Sequence, residues 1–193
     1  MQETYLTFEK TAIVVIDLQK GIASNTRKLE PNSASSVIGN AAKLVRLFRG
    51  KNGTTFLVHV MSKDGRDTLK PISDTHPTIQ QSLPKDYAEF IEEIKPLEED
   101  IIITKRQWGA FYGTELDLQL RRRGIDTIVL CGISTNIGVE TTAREAYQYG
   151  YNQIFAVDAM SAASEEEHYA SVKFIFPRIG LVRTTDEIID MLR

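Results

Sequence analysis

Two hydrophobic rhythms alternate along this chain. Short, continuous apolar runs occupy residues 12–16, 54–60, 101–104, 127–132, 154–157 and, more weakly, 181–183. Runs without polar alternation are what strands covered on both faces require. Between them the spacing turns helical: Val37, Ala41, Ala42, Leu44, Val45 and Phe48 share one face, with Gly50 and Gly53 near the stop. Weaker helical patterns are expected around Leu116, Leu118 and Leu120, around Ala143, Ala146 and Tyr147, and around Val172, Phe174 and Ile175. Strand and helix in alternation imply right-handed crossovers and a parallel sheet between two helical layers. The pattern therefore predicts an α/β fold, a three-layer α/β/α Rossmann-like sandwich.

Residues 62–85 break the rhythm. With Pro71, Pro77, Pro84 and scattered polar positions, the segment is too long for an ordinary connector and reads as a lid or a partner-contacting loop. Ser164 ahead of Glu165, Glu166 and Glu167 reads as a cap and the acidic first turn of a helix. Arg121, Arg122 and Arg123 before Gly124 read as a helix C-terminus rather than a phosphate site.

Composition narrows the function classes. The 193 residues, 42% hydrophobic and 25% charged, suit one globular domain spanning 1–193. A net charge of -3 leaves no basic footprint for nucleic acid. No apolar run approaches the roughly 20 residues of a membrane span, and the N-terminus lacks a signal pattern, so a cytoplasmic protein is expected. A single cysteine forms no internal disulfide; Cys131 lies inside an apolar strand, which favours an inert thiol over a nucleophile. His59, His76 and His168 lack metal-ligand spacing, and no glycine-rich nucleotide motif occurs, so neither metal nor cofactor is expected.

In open parallel sheets, ligands bind beyond the carboxyl ends of the strands, near the reversal of strand order. Three polar features stand there: Asp17 after the first run, Lys105 after the third, and the turn from Gly132 to Gly138 after the fourth. Asp17 suits a strand-end cap as well as an acid–base role. Lys105 suits a solvated loop cation, but it leaves a buried strand and a partly buried lysine needs a carboxylate, for which Asp17 is available. Trp108 is placed to wall a pocket near Lys105, whereas Phe111 reads as packing. Arg106 meets either an acidic substrate or solvent, and Asn136 either orients a ligand or caps the helix that starts there. Backbone N–H groups at that helix start suit an oxyanion or a substrate carboxylate.

The stretches Val15-Ile-Asp-Leu-Gln19, Ile103-Thr-Lys-Arg-Gln-Trp-Gly-Ala-Phe-Tyr-Gly-Thr-Glu-Leu116, Gly132-Ile-Ser-Thr-Asn-Ile-Gly-Val-Glu140 and Asp158-Ala-Met-Ser161, in this order, resemble the isochorismatase-like hydrolases. The resemblance implies a six-stranded parallel sheet in the order 3-2-1-4-5-6. It also implies a catalytic set of Asp17, Lys105 and Gly138, with Gln19, Ser134, Thr135 and Asn136 toward the substrate, and a non-proline cis peptide at Ile133–Ser134. Amidase members carry cysteine where this chain has Gly138, and members that cleave vinyl ethers carry glycine. The expected activity is thus cofactor-free hydrolysis of an isochorismate-like small molecule, with Asp17 as general acid. The alternatives are a water-mediated amidase or ester hydrolase, and an inactive binding or assembly protein of the same fold. Ser134-Thr135-Asn136 is amidase-like, where vinyl-ether enzymes tend to carry a Tyr-Ala-His type turn. The metal motif Asp-x-His of nicotinamidases is missing between Phe56 and Arg66. Family resemblance further implies a homo-oligomer.

Overall fold

The computed structural model describes residues 6–23, 28–74 and 83–192. Strands β1 (Thr11–Ile16), β2 (Thr54–Val60), β3 (Ile101–Lys105), β4 (Thr127–Ile133), β5 (Asn152–Ser161) and β6 (Leu181–Arg183) form one sheet in the order β3-β2-β1-β4-β5-β6. Every pairing is parallel. The helices are α1 (Lys20–Ala23), α2 (Ala34–Gly50), α3 (Leu116–Arg122), α4 (Glu140–Gln148), α5 (Glu165–Phe174), α6 (Phe176–Ile179) and α7 (Thr185–Met191).

Successive side chains of a strand point to opposite faces, and β1 shows why its apolar run is unbroken. Ile13 and Val15 enter one core with Leu57, Val129, the buried face of α2 and Ile188 of α7. Ala12, Val14 and Ile16 enter the other, with Phe56, Val58, Leu130, Leu116, Leu120, Ala143, Ala146 and Phe176. Both faces of the sheet are therefore dry, and the strand order reverses beside β1, between outgoing β2 and returning β4.

Three helical expectations need correction at single positions. Leu118, Tyr147 and Phe174 are exposed: Leu118 sits two residues from the inward-pointing leucines, Tyr147 directly beside Ala146, and Phe174 at the last position of α5. The inward faces are Leu116 with Leu120 in α3 and Ala143 with Ala146 in α4, at the spacing of a helix stripe. In α5 the buried side chains are His168 and Ser171. The predicted caps hold: Ser164 accepts from the Glu167 amide, and Gly124 ends the α3 turn at φ 66°.

Strand β5 runs four residues past its apolar run, since Asp158 interrupts the hydrophobic pattern without ending the ladder. The register slips there: Leu130 pairs with Phe155, but Gly132 pairs with Met160. Asp158 Oδ1 accepts from the amide and hydroxyl of Thr185, both at 2.8 Å, and so anchors α7 to the bulge. Of the irregular segment 62–85, residues 62–74 form no helix or strand. His76 and Pro77 lie outside the described residues. No helix among the described residues is long and apolar enough to cross a membrane.

Candidate active site

The sheet order brings the carboxyl ends of β1, β3 and β4 to one edge. Asp17 is the first residue beyond β1 and takes φ 54°, a left-handed conformation uncommon for a side chain larger than glycine. Its amide donates to Val58 O at 2.9 Å, which keeps the end of β1 on β2. The carboxylate Oδ2 meets Lys105 Nζ at 2.7 Å, with side chains 7% and 2% exposed. Lys105 also donates to the Trp108 carbonyl at 2.7 Å. The other carboxyl oxygen, Asp17 Oδ1, is buried with no hydrogen-bond partner.

Strand β4 approaches the same point by a route only glycine permits. Gly132 has φ 121°, and a Cβ there would fall 2.0 Å from Ile16 O. The Ile133–Ser134 peptide that follows is cis, as the resemblance implies. Thr135–Val139 then forms a single π-helical turn leading into α4. The turn presses Gly138 against the ion pair. A Cβ on Gly138 would lie 3.1 Å from Asp17 Oδ2, 3.4 Å from Lys105 Nζ and 3.0 Å from Ile16 Cγ2. Thr142 holds this position from α4, donating to Gly138 O at 2.7 Å and accepting from the Ala110 amide at 3.1 Å.

Two opposed effects set the Asp17 carboxyl. Burial raises its pKa, while the charge and hydrogen bond of Lys105 lower it; burial wins, and the carboxyl is pushed up from 3.8 to about 6. Cys131 behaves as its setting predicts. It is fully buried, and burial pushes its thiol up to about 12, so it is almost wholly protonated at neutral pH. Iodoacetamide is accordingly expected to leave turnover unchanged; inactivation blocked by Cys131→Ala would contradict this.

The other candidates divide. Asp17, Lys105 and Gly138 converge, and Ser134, Thr135 and Asn136 share the adjoining turn. Ser134 is buried. Thr135 is fully buried, with its hydroxyl 2.9 Å from His168 Nδ1. Asn136 has its Oδ1 buried and unpartnered, so that oxygen caps no helix. Trp108 is 64% exposed and meets Lys105 through its carbonyl; its ring is a rim feature. Gln19, expected among the substrate contacts, has its amide committed elsewhere. Fully buried, it donates to Val60 O at 3.0 Å and Tyr87 O at 2.9 Å and accepts from the Val60 amide at 2.8 Å. Arg106, left between substrate and solvent by the sequence, pairs with Asp67 at 3.2 Å.

Two histidines add contacts beyond the motif residues. His59 bonds Ala88 O through Nδ1 at 2.7 Å and Thr104 Oγ1 through Nε2 at 2.8 Å. Together with Gln19 it fastens residues 87–88 beside the strand ends. His168 reaches the π-helical turn from α5; its sequence signal is a polar pair, His168 and Ser171, at one-turn spacing in a helix with little apolar face. Among the described residues, no three His, Cys, Asp or Glu side chains gather as metal ligands would.

With a buried carboxyl–ammonium pair under a helix-start turn at the reversal point of its 3-2-1-4-5-6 sheet, the chain is a doubly wound α/β protein. The isochorismatase domain matches residues 11–187 of the chain, and the protein belongs to the isochorismatase family. It is 55% identical over 195 residues to the uncharacterized isochorismatase family protein YwoC of Bacillus subtilis, covering 100% of both chains. The solved structure of an isochorismatase family protein (BTH_II2229) from Burkholderia thailandensis matches with a TM-score of 0.91 and 39% identity, over 98% of each chain. The ureidoacrylate amidohydrolase RutB of Azorhizobium caulinodans is 30% identical over 180 residues, covering 82% of this chain and 79% of its own.

Proposed function

We propose that this hydrolase cleaves the vinyl ether of an isochorismate-like substrate, with Asp17 as general acid and no covalent enzyme intermediate. The observation that carries the reading is the buried Asp17 carboxyl, raised to about 6, with one oxygen unpartnered beside a glycine. A carboxyl with that pKa keeps about a tenth of its population protonated at pH 7, and exclusion of water by a bound substrate raises the share. Asp17 delivers its proton to the terminal CH2 of the enolpyruvyl group, which becomes CH3 and leaves an oxocarbenium ion. Water adds to that carbon and its proton returns to Asp17. The hemiketal then breaks the bond between its central carbon and the ring-borne oxygen, its hydroxyl losing a proton as the ketone forms and the departing oxygen gaining one, which releases the ring alcohol and pyruvate. Lys105 steadies the carboxylate left after the first step. Gly138 leaves open the room where a thiol would stand, and Cys131 offers no substitute.

The unpartnered Asn136 Oδ1 favours a second reading, since it suits an N–H donor, and RutB acts on an amide. Here Asp17, ionised, is a general base that activates water, with the turn amides binding the oxyanion. The pH dependence of kcat/KM separates the two by sign. An acid role requires the protonated form, so activity falls about tenfold per pH unit above about 6. A base role requires the ionised form, so activity rises toward about 6 and then levels.

The direct experiment is pyruvate release from isochorismate by the purified protein and its Asp17→Ala variant. Release lost in the variant supports the vinyl-ether reading; no release from the wild type removes isochorismate and turns the assay to ureido and amide substrates. Lys105→Met carries a further expectation. Both effects of Lys105 on Asp17 are lowering ones, so the variant's pH limb moves upward; an unmoved limb would show that the titrating group is not Asp17.

A further inference from the structure

We infer that His168 and Ser171 of α5 are positioning residues, tying down both ends of the 135–139 turn so that Gly138 stays against the Asp17–Lys105 pair. A helix laid on a sheet ordinarily buries an apolar stripe. In α5 the buried side chains are instead these two polar ones, 2% and 0% exposed. Burying a polar group costs free energy unless it is hydrogen-bonded, and an aliphatic residue would fill the same space without that cost.

Both hydrogen bonds land on the borders of the turn. His168 Nδ1 lies 2.9 Å from Oγ1 of Thr135, the first residue of the turn. One helical turn later, Ser171 Oγ donates to Oε2 of Glu140, the residue directly after it. Glu140 is itself steadied by Arg144 Nε at 2.9 Å. Thr135 is fully buried, so no solvent competes for its hydroxyl. Burial also holds the His168 imidazole neutral, with its pKa lowered to about 4, so the tie to Thr135 persists across the physiological pH range. Neither α5 residue has a hydrogen bond to Asp17 or Lys105; their effect passes through the turn. The role as catalytic positioning rests on the reading of Asp17 and the turn as the hydrolytic site.

The test reads the turn directly as well as through turnover. In a Gly138→Cys background the introduced thiol stands on the turn, while Cys131 is buried and unreactive, so the second-order rate of iodoacetamide alkylation reports the geometry at position 138. Adding His168→Leu, which keeps the bulk and removes the hydrogen bond, is expected to slow alkylation at least fivefold, with a lower Tm because the buried Thr135 hydroxyl loses its partner. His168→Asn, whose amide can stand where Nδ1 stands, is expected to restore the rate to within about twofold. An unchanged or faster rate with His168→Leu overturns the proposal, as does failure of His168→Asn to rescue. If His168→Leu does not fold, Ser171→Ala takes its place: a rate slowed at least twofold supports the tie, and an unchanged rate overturns it. With Gly138 restored, His168→Leu is expected to lower kcat for pyruvate release with KM within twofold. Absence of pyruvate from the wild type refutes the proposed reaction and leaves the alkylation result standing, so the two failures are distinguishable.

Discussion

Asp17→Asn is expected to lower kcat for pyruvate release by about 10²–10⁴-fold, the usual contribution of a general acid. The amide matches the carboxyl in shape but has no acidic proton to give to the vinyl carbon. A second effect follows from burial. Lys105, 2% exposed and paired with Asp17 at 2.7 Å, is left as a buried charge facing a neutral group, and breaking such a pair from one side costs about 3–5 kcal/mol. Reduced turnover alone would therefore confound chemistry with folding. The double variant Asp17→Asn, Lys105→Met separates them, because exchanging both charges for neutral groups of similar volume is often close to neutral in stability. Thermal unfolding should return toward the wild-type midpoint in the double variant while turnover stays lost. Recovery of turnover together with stability would show that Asp17 matters only as a partner for Lys105.

Gly132→Ala should produce the largest change in stability. A methyl group there would sit 2.0 Å from the Ile16 carbonyl oxygen, on a backbone at φ 121°, so relief requires moving β4 away from β1 at the centre of the sheet. A loss of about 4 kcal/mol or more is expected, placing it among the exceptional single substitutions and lowering Tm by about 10 °C for a chain of this size. Gly39 provides the contrast. It lies exposed within α2 with nothing near its would-be Cβ, and Gly39→Ala should raise stability by about 1 kcal/mol through helix propensity. Equal effects of the two alanines on a thermal melt would refute the steric account.

The legibility of this fold from its residues has a physical basis. Continuous apolar runs marked five strands and a weaker sixth because both faces of the sheet are covered, and α2 was readable because its apolar face is complete. Motif resemblance supplied the strand order. What failed is local. The apolar run of β5 stops at Asp158, whose carboxylate is satisfied by Thr185 rather than by solvent, and only the motif Asp158–Ser161 marks the strand's far half. Leu118 and Tyr147 mislead because apolar character at the wrong helical phase carries no burial, and Phe174 because it stands exposed at the end of α5. At the candidate site, strand ends and family motifs together point to Asp17, Lys105 and Gly138, and the structure brings these three side by side. For Gln19 the motif alone does not separate a substrate contact from a backbone clamp, and in the fold its amide is bonded to the Val60 and Tyr87 main chain. His168 carries only the local signal of its polar pairing with Ser171, because its partner, Thr135, lies 33 positions away and no short pattern links the two.

The clamps formed by Gln19 and His59 have a bearing on how such an enzyme changes over generations. Both side chains grip main-chain carbonyls, those of Tyr87 and Ala88, and every residue type carries a carbonyl. Substitution in this neighbouring segment can therefore change its side chains while the two polar grips that seat it against β1 and β2 persist. A scaffold held by contacts indifferent to side-chain identity lets new specificities be sampled by point mutation without first rebuilding the catalytic edge.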